Sequence, residues 1–186
     1  MKALESTPSF DLYSAPIESS DRLLRRGRER AAALGLVRAV FGPCAGIGHS
    51  PEGAPYVEGA ESAAISISHD SDTCILAVGR SGEAIGVDIE RPRQQLMRIR
   101  SKFLSSAETA RLESHSCQEG RTDFLLRCWT AKEAVYKCAL TPGLGLTEIE
   151  TSEAMDRASA RGESYSLSFR GMPDGAVIAV AVKSKL

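Results

Sequence analysis

The chain has 186 residues, of which 42% are hydrophobic and 25% charged, with 23 Lys and Arg set against 24 Asp and Glu. That length suits one domain or two small halves sharing a core, and the near balance of charge gives no support to general nucleic-acid binding. Five scattered cysteines (Cys44, Cys74, Cys117, Cys128, Cys138) fit neither a disulfide framework nor zinc-ligand spacing. The N-terminus lacks the apolar run of a signal peptide and no segment has the length and hydropathy of a bilayer crossing, so a soluble cytoplasmic protein is expected.

Residues 1–20 are weakly patterned, with Phe10 to Ile17 reading as a short strand or an ordered arm. Ser19, Ser20 and Asp21 are helix-start signals, and Leu24, Ala31, Leu34, Val37 and Phe41 then recur near period 3.6. Arg22, Arg25, Arg26, Arg28 and Arg30 make the first turns basic and read mostly as a solvated face, whereas Arg38 stands late in the helix beside the apolar stripe. Gly42-Pro43 and residues 46–55 read as a Gly/Pro-rich loop. Ala63 to His69 alternates as a half-buried strand, with Ile65 and Ile67 on one side and Ser66 and Ser68 on the other. Thr73 to Val78 is a second strand, Arg80 to Glu83 a turn, and Ala84 to Glu90 a third strand. Strand, turn and strand in succession predict an antiparallel meander, with no P-loop and no Rossmann glycine fingerprint.

Residues 94–104 read as helical. Ser105 and Glu108 have the spacing of a capping box, so the plain reading of Glu108 is a helix cap. Leu112 to Gly120 reads as a surface link, and a helix follows from Arg121. Gly143 to Leu146 is a turn and Glu150 to Gly162 a polar connection with some helical character. Tyr165 to Phe169 and Ala176 to Val182 close the chain as a hairpin around Pro173, Asp174 and Gly175.

Two stretches carry the chemistry. In Gly86-Val87-Asp88-Ile89-Glu90, Asp88 and Glu90 share one face of a strand, and two adjacent carboxylates call for solvent or a cation. In the helix from Trp129 to Lys137, Trp129, Glu133 and Lys137 are spaced i, i+4, i+8 on one face, while Phe124, Cys128, Ala131, Val135 and Cys138 form a core stripe. A third carboxylate from the helix could complete a cation site begun on the strand, and Lys137, one turn on, could hold a phosphate oxygen.

Gly-Val-Asp-Ile-Glu followed by Trp-Thr-x-Lys-Glu-Ala-x-x-Lys resembles the paired signature of the 4'-phosphopantetheinyl transferase family. The resemblance implies transfer of the phosphopantetheine arm of coenzyme A to a serine of an acyl or peptidyl carrier protein, with release of 3',5'-ADP. It implies an α+β fold of two similar halves, 1–85 and 86–186, related by a pseudo-two-fold axis, as in the family's longer class; a monomer is expected. By the same resemblance Mg²⁺ is held by Asp88, Glu90 and Glu133, Lys137 meets phosphate, and Glu108 acts as general base beside the catalytic Glu133. Arg38, Ser68 and His69 contact the nucleotide phosphates, and Gly53 and Pro55 line the adenine side, where Ala54 replaces the family's common lysine. The shortfall against longer members falls before residue 30. Two other classes stay open: a different Mg²⁺-dependent phosphoryl or nucleotidyl transferase, and a catalytically silent relative that binds coenzyme A or a carrier protein. No nucleic acid or membrane partner is expected.

Overall fold

The structure, a computed structural model, describes residues 1–19, 24–80 and 82–184. The helix-start residues Ser20 and Asp21, with Arg22, lie outside them. The first sheet is built from β1 (Lys2–Ser6), β2 (Phe10–Pro16), β5 (Ile65–His69) and β6 (Thr73–Gly79), in the order β1-β2-β6-β5. Helix α1 (Arg25–Phe41) covers one face of it, burying Leu36 and Val37 with Cys74 and Leu76. Between α1 and β5 stands a separate hairpin of β3 (Gly46–His49) and β4 (Pro55–Glu58).

The second sheet runs β7-β11-β10-β9-β8, from β7 (Ile85–Glu90), β8 (Ile149–Thr151), β9 (Arg157–Ala160), β10 (Glu163–Gly171) and β11 (Val177–Lys183). Helices α2 (Gln95–Ile99) and α3 (Ser106–Ser114) lead to the long α4 (Gln118–Ala139), whose Ala131, Val135 and Cys138 pack on Tyr165, Leu167, Ala179 and Ala181. The opposite face of this sheet meets the first sheet: Phe10, Leu12, Ile75 and Ala77 pack against Ile85, Val87, Ile89, Ile178 and Val180. The layers are therefore helix, sheet, sheet, helix, an α+β architecture whose central core both sheets share.

Several expectations are corrected. The third strand does not extend a meander: β7 leaves the first sheet and pairs antiparallel with β11, because its apolar face is needed between the sheets. The loop at 46–55 holds a strand and the start of another. Its glycines suit a strand because Tyr56 lies over Gly48 and Glu58 over Gly46, where a Cβ would collide with them. Residues 150–162 contain β8 and β9 rather than a helix, and residues 112–120 are mostly the ends of α3 and α4. Lys2–Ser6, left unassigned by the sequence, pairs with β2.

Candidate active site

The acidic site forms where β7 crosses α4. Gly86 allows the crossing, since a Cβ there would collide with the Ala134 carbonyl and the Cys138 amide, both on α4. The alternation of β7 then puts Ile85, Val87 and Ile89 into the core and turns Asp88 toward the helix. Asp88 Oδ1 accepts from Lys137 Nζ at 2.7 Å and from Ser68 Oγ at 2.8 Å, whereas Oδ2 is buried with no hydrogen-bond partner. Glu90 Oε1 accepts from Trp129 Nε1 at 3.0 Å and from Arg93 at 2.9 Å, and the Arg93 guanidinium lies 5.6 Å above the Trp129 ring.

Burial pushes the Glu90 carboxyl above its ordinary range, with Asp88 adding to the rise and Arg93 opposing it. Burial does the same to Glu133, reinforced by the charges of Asp88 and Glu90. The charges of these three carboxylates thus oppose one another. The side chains have not drawn together as a ligand set, and among the described residues no three His, Cys, Asp or Glu groups are arranged to clasp a metal. The orphaned buried Oδ2 of Asp88, in an all-oxygen acidic set, nonetheless fits a hard divalent cation.

Beside this site opens a cleft of about 1230 Å³. Arg38, Gly53, Pro55, His69 and Lys137 all line it, so five expected nucleotide contacts face one space. Gly53 turns the cleft loop at φ +87°, a conformation that favours glycine. Arg38 Nε donates to the Ala45 carbonyl at 3.3 Å, and His69 Nε2 stands 3.7 Å from Glu29 Oε2, while the other oxygen of Glu29, Oε1, pairs with Arg25. Ser68 is absent from the lining: its hydroxyl turns inward to Asp88 and accepts from the Ile89 amide at 3.4 Å. Lys137 belongs to both places, since its ammonium also reaches Ser68 Oγ and the Val87 carbonyl at 3.1 Å each. Asp70 is neutralised by Arg91 at 2.8 Å. Arg26 and Arg30, read from the sequence mostly as a solvated face, and Tyr56, given no role there, also line the cleft. Arg26, Arg30, Leu34 and Arg38 recur every fourth residue, and that spacing alone could have marked them as one helix face.

Glu108 sits elsewhere, fully buried at the start of α3, where it completes the capping box with Ser105. Its Oε2 accepts from Lys132 Nζ at 2.5 Å and the Ser105 amide at 2.9 Å, and its Oε1 from the Thr151 amide at 3.0 Å and hydroxyl at 2.8 Å. Burial alone would raise this carboxyl, but Lys132 and the Ser105 and Thr151 amides outweigh it and hold it low. Lys132 in turn donates to the carbonyls of Phe103, Leu146 and Ile149. In this arrangement both oxygens of Glu108 are taken up and neither faces the cleft.

Comparison with known proteins adds three findings. A family model described as the 4'-phosphopantetheinyl transferase superfamily matches residues 84–180, the span that carries Asp88, Glu90, Glu133 and Lys137. The crystal structure of Thermotoga maritima holo-[acyl-carrier-protein] synthase is similar at 16% identity and a TM-score of 0.42, over 55% of this chain and 64% of that one, less than two thirds of its length. No curated protein matches the sequence.

Proposed function

The chain belongs to the 4'-phosphopantetheinyl transferase superfamily, and from that premise we propose that it transfers the 4'-phosphopantetheine arm of coenzyme A to a serine hydroxyl of an acyl or peptidyl carrier protein. The observation that carries this reading is the acidic set around the unpartnered Asp88 Oδ2, joined through Lys137 to a cleft lined with arginines. Asp88, Glu90 and Glu133 would hold Mg²⁺, which when bound supplies positive charge against the diphosphate of coenzyme A. Lys137, which lines the cleft as well as pairing with Asp88, meets the phosphate oxygens, and its charge counts most as negative charge grows there. His69 and Arg38 hold the nucleotide, joined by Arg26 and Arg30, while Gly53 and Pro55 shape its floor. Ser68 holds Asp88 in place rather than touching phosphate.

The carrier serine attacks the β-phosphate, the bond to the nucleotide breaks, and 3',5'-ADP leaves. The proton of the serine hydroxyl passes to water. Glu108 then works as a positioning residue: through Lys132 and Thr151 it ties α3, α4 and β8 together and fixes the helix that presents Glu133. Residues 1–85 and 86–186 act as two halves of a pseudo-dimeric chain, a reading supported by the long helix on the outer face of each sheet.

Incubation of a purified carrier protein with this protein, coenzyme A and Mg²⁺, with an EDTA control, tests the reading by intact mass. A gain of one phosphopantetheine mass that EDTA abolishes is expected. No gain on fatty-acid, polyketide or peptide-synthetase carriers, from a protein that still binds coenzyme A, would leave a silent binder in its place.

A further inference from the structure

The acidic site already holds cations, and they are the protein's own. Lys137 Nζ lies 2.7 Å from Asp88 Oδ1, and Arg93 lies 2.9 Å from Glu90 Oε1. Both side chains are partly open to solvent, at 30% and 42% exposed, so neither would be stranded on leaving its carboxylate. Lys132 differs: it is wholly enclosed, with Glu108 and three carbonyls around its ammonium.

Each carboxylate oxygen that receives a charged partner also receives a neutral one. Ser68 Oγ donates to Asp88 Oδ1, and Trp129 Nε1 donates to Glu90 Oε1. The carboxylates therefore stay aimed when the charged partner departs. A divalent cation bound here would stand within a few ångströms of two like charges, a strongly unfavourable arrangement in a partly buried site.

We propose that Lys137 and Arg93 are exchangeable counter-ions of this site: the divalent cation enters by displacing them, and Lys137, released from Asp88, turns to the phosphates in the adjoining cleft. This rests on the reading of the site as metal-dependent transfer from coenzyme A. Each ligand then removes an obstacle to the other, because phosphate draws Lys137 away from the metal position and metal frees Lys137 for phosphate. Metal and coenzyme A bind cooperatively, and the coupling is the same in either order.

The test is calorimetric titration of Mg²⁺, with and without coenzyme A, on the wild type, Lys137→Met and Arg93→Gln. Trp129 is the single tryptophan and donates to Glu90, so its fluorescence reports on this site independently of activity. With coenzyme A the wild type is expected to bind Mg²⁺ roughly tenfold more tightly than without it. Lys137→Met should bind Mg²⁺ roughly tenfold more tightly than wild type in the absence of coenzyme A, and its coupling should shrink to what the direct attraction between metal and diphosphate supplies. Arg93→Gln should tighten Mg²⁺ and keep the coupling. Equal Mg²⁺ affinity in all three proteins, or full coupling in Lys137→Met, overturns the exchange and leaves the metal assignment standing. No Mg²⁺ binding in any of them, with a silent Trp129, overturns both.

Discussion

At Asp88, one carboxylate oxygen is held twice and the other not at all. A buried acceptor without a donor costs about 1–3 kcal/mol, and Glu90 and Glu133 add repulsion to it. A carboxyl whose pKa is raised on folding binds its proton more tightly in the folded chain. Stability therefore falls as pH rises from the ordinary glutamate value through the raised one. Glu133→Gln removes one member of the trio, so in metal-free buffer it should abolish transfer yet raise Tm by about 2–4 °C. It should also flatten the decline of Tm as pH rises above the ordinary glutamate value; a lower Tm in this variant by scanning calorimetry would contradict the repulsion. Glu108 has the opposite sign: its carboxyl is held low, so its contribution is present at neutral pH and lost as pH falls through that lowered value. Breaking a buried pair strands a charge, and Glu108→Gln or Lys132→Met alone should cost about 3–5 kcal/mol. The double variant strands none. If Glu108 acts by positioning, the pair changed together is less destabilised than either single variant and regains a measurable part of the transfer rate, the remaining cost being the Phe103, Leu146 and Ile149 carbonyls left without a donor; a stable double variant with no transfer would return Glu108 to the chemistry.

Strand β7 is flanked on every side at the level of elements: α4 crosses its face, β11 pairs with one edge through a backbone ladder, and β5 lies along the other edge. The β5 edge is joined by side chains rather than by a ladder: Ser66 Oγ accepts from the Val87 amide at 2.9 Å, and Ser68 Oγ from the Ile89 amide. Ser66→Ala would leave the buried Val87 amide without an acceptor and should cost about 1–3 kcal/mol in urea denaturation. Alternation in the sequence showed that Ser66 and Ser68 share a face; only the family resemblance pointed the second of them toward function, and neither gave these serines the task of joining two sheets. The helix of Trp129, Glu133 and Lys137 and the strand of Asp88 and Glu90 were legible because period 3.6 and period 2 are strong there. The β8 and β9 strands were not. Arg157-Ala158-Ser159-Ala160 alternates exposed and buried, yet Ala and Ser are small and carry little strand preference. Gly46-Ile47-Gly48-His49 looked like a loop for the same kind of reason, since the side chains that need those glycines, Tyr56 and Glu58, arrive from the other strand. Inward placement of Glu108 was half visible: the capping box was read from spacing, while its partners Lys132 and Thr151 are distant in sequence and only the fold supplies them.

Across the whole molecule, the two sheets are not separate domains, because Phe10, Leu12, Ile75 and Ala77 of one and Val87, Ile89, Ile178 and Val180 of the other fill the same core. Neither sheet can leave without exposing that face to water, which predicts a single cooperative transition with an m-value set by the full chain. Arg91 adds a fastening at the rim. Its guanidinium lies 2.8 Å from Asp70, in the turn between β5 and β6, and 2.8 Å from Asp174, in the turn between β10 and β11, so one side chain ties the first sheet to the second. Asp174 is half exposed and can return to water, but the side chain of Asp70 is only 8% exposed and loses a counter-ion it cannot replace. Arg91→Ala should therefore lower the denaturation midpoint by an amount equivalent to about 1–3 kcal/mol while leaving the m-value unchanged. An unchanged slope means that the halves still unfold together and that the shared core, not the rim, couples them. Two resolved transitions in the variant would mean instead that Arg91 was the coupling and that each half is stable on its own.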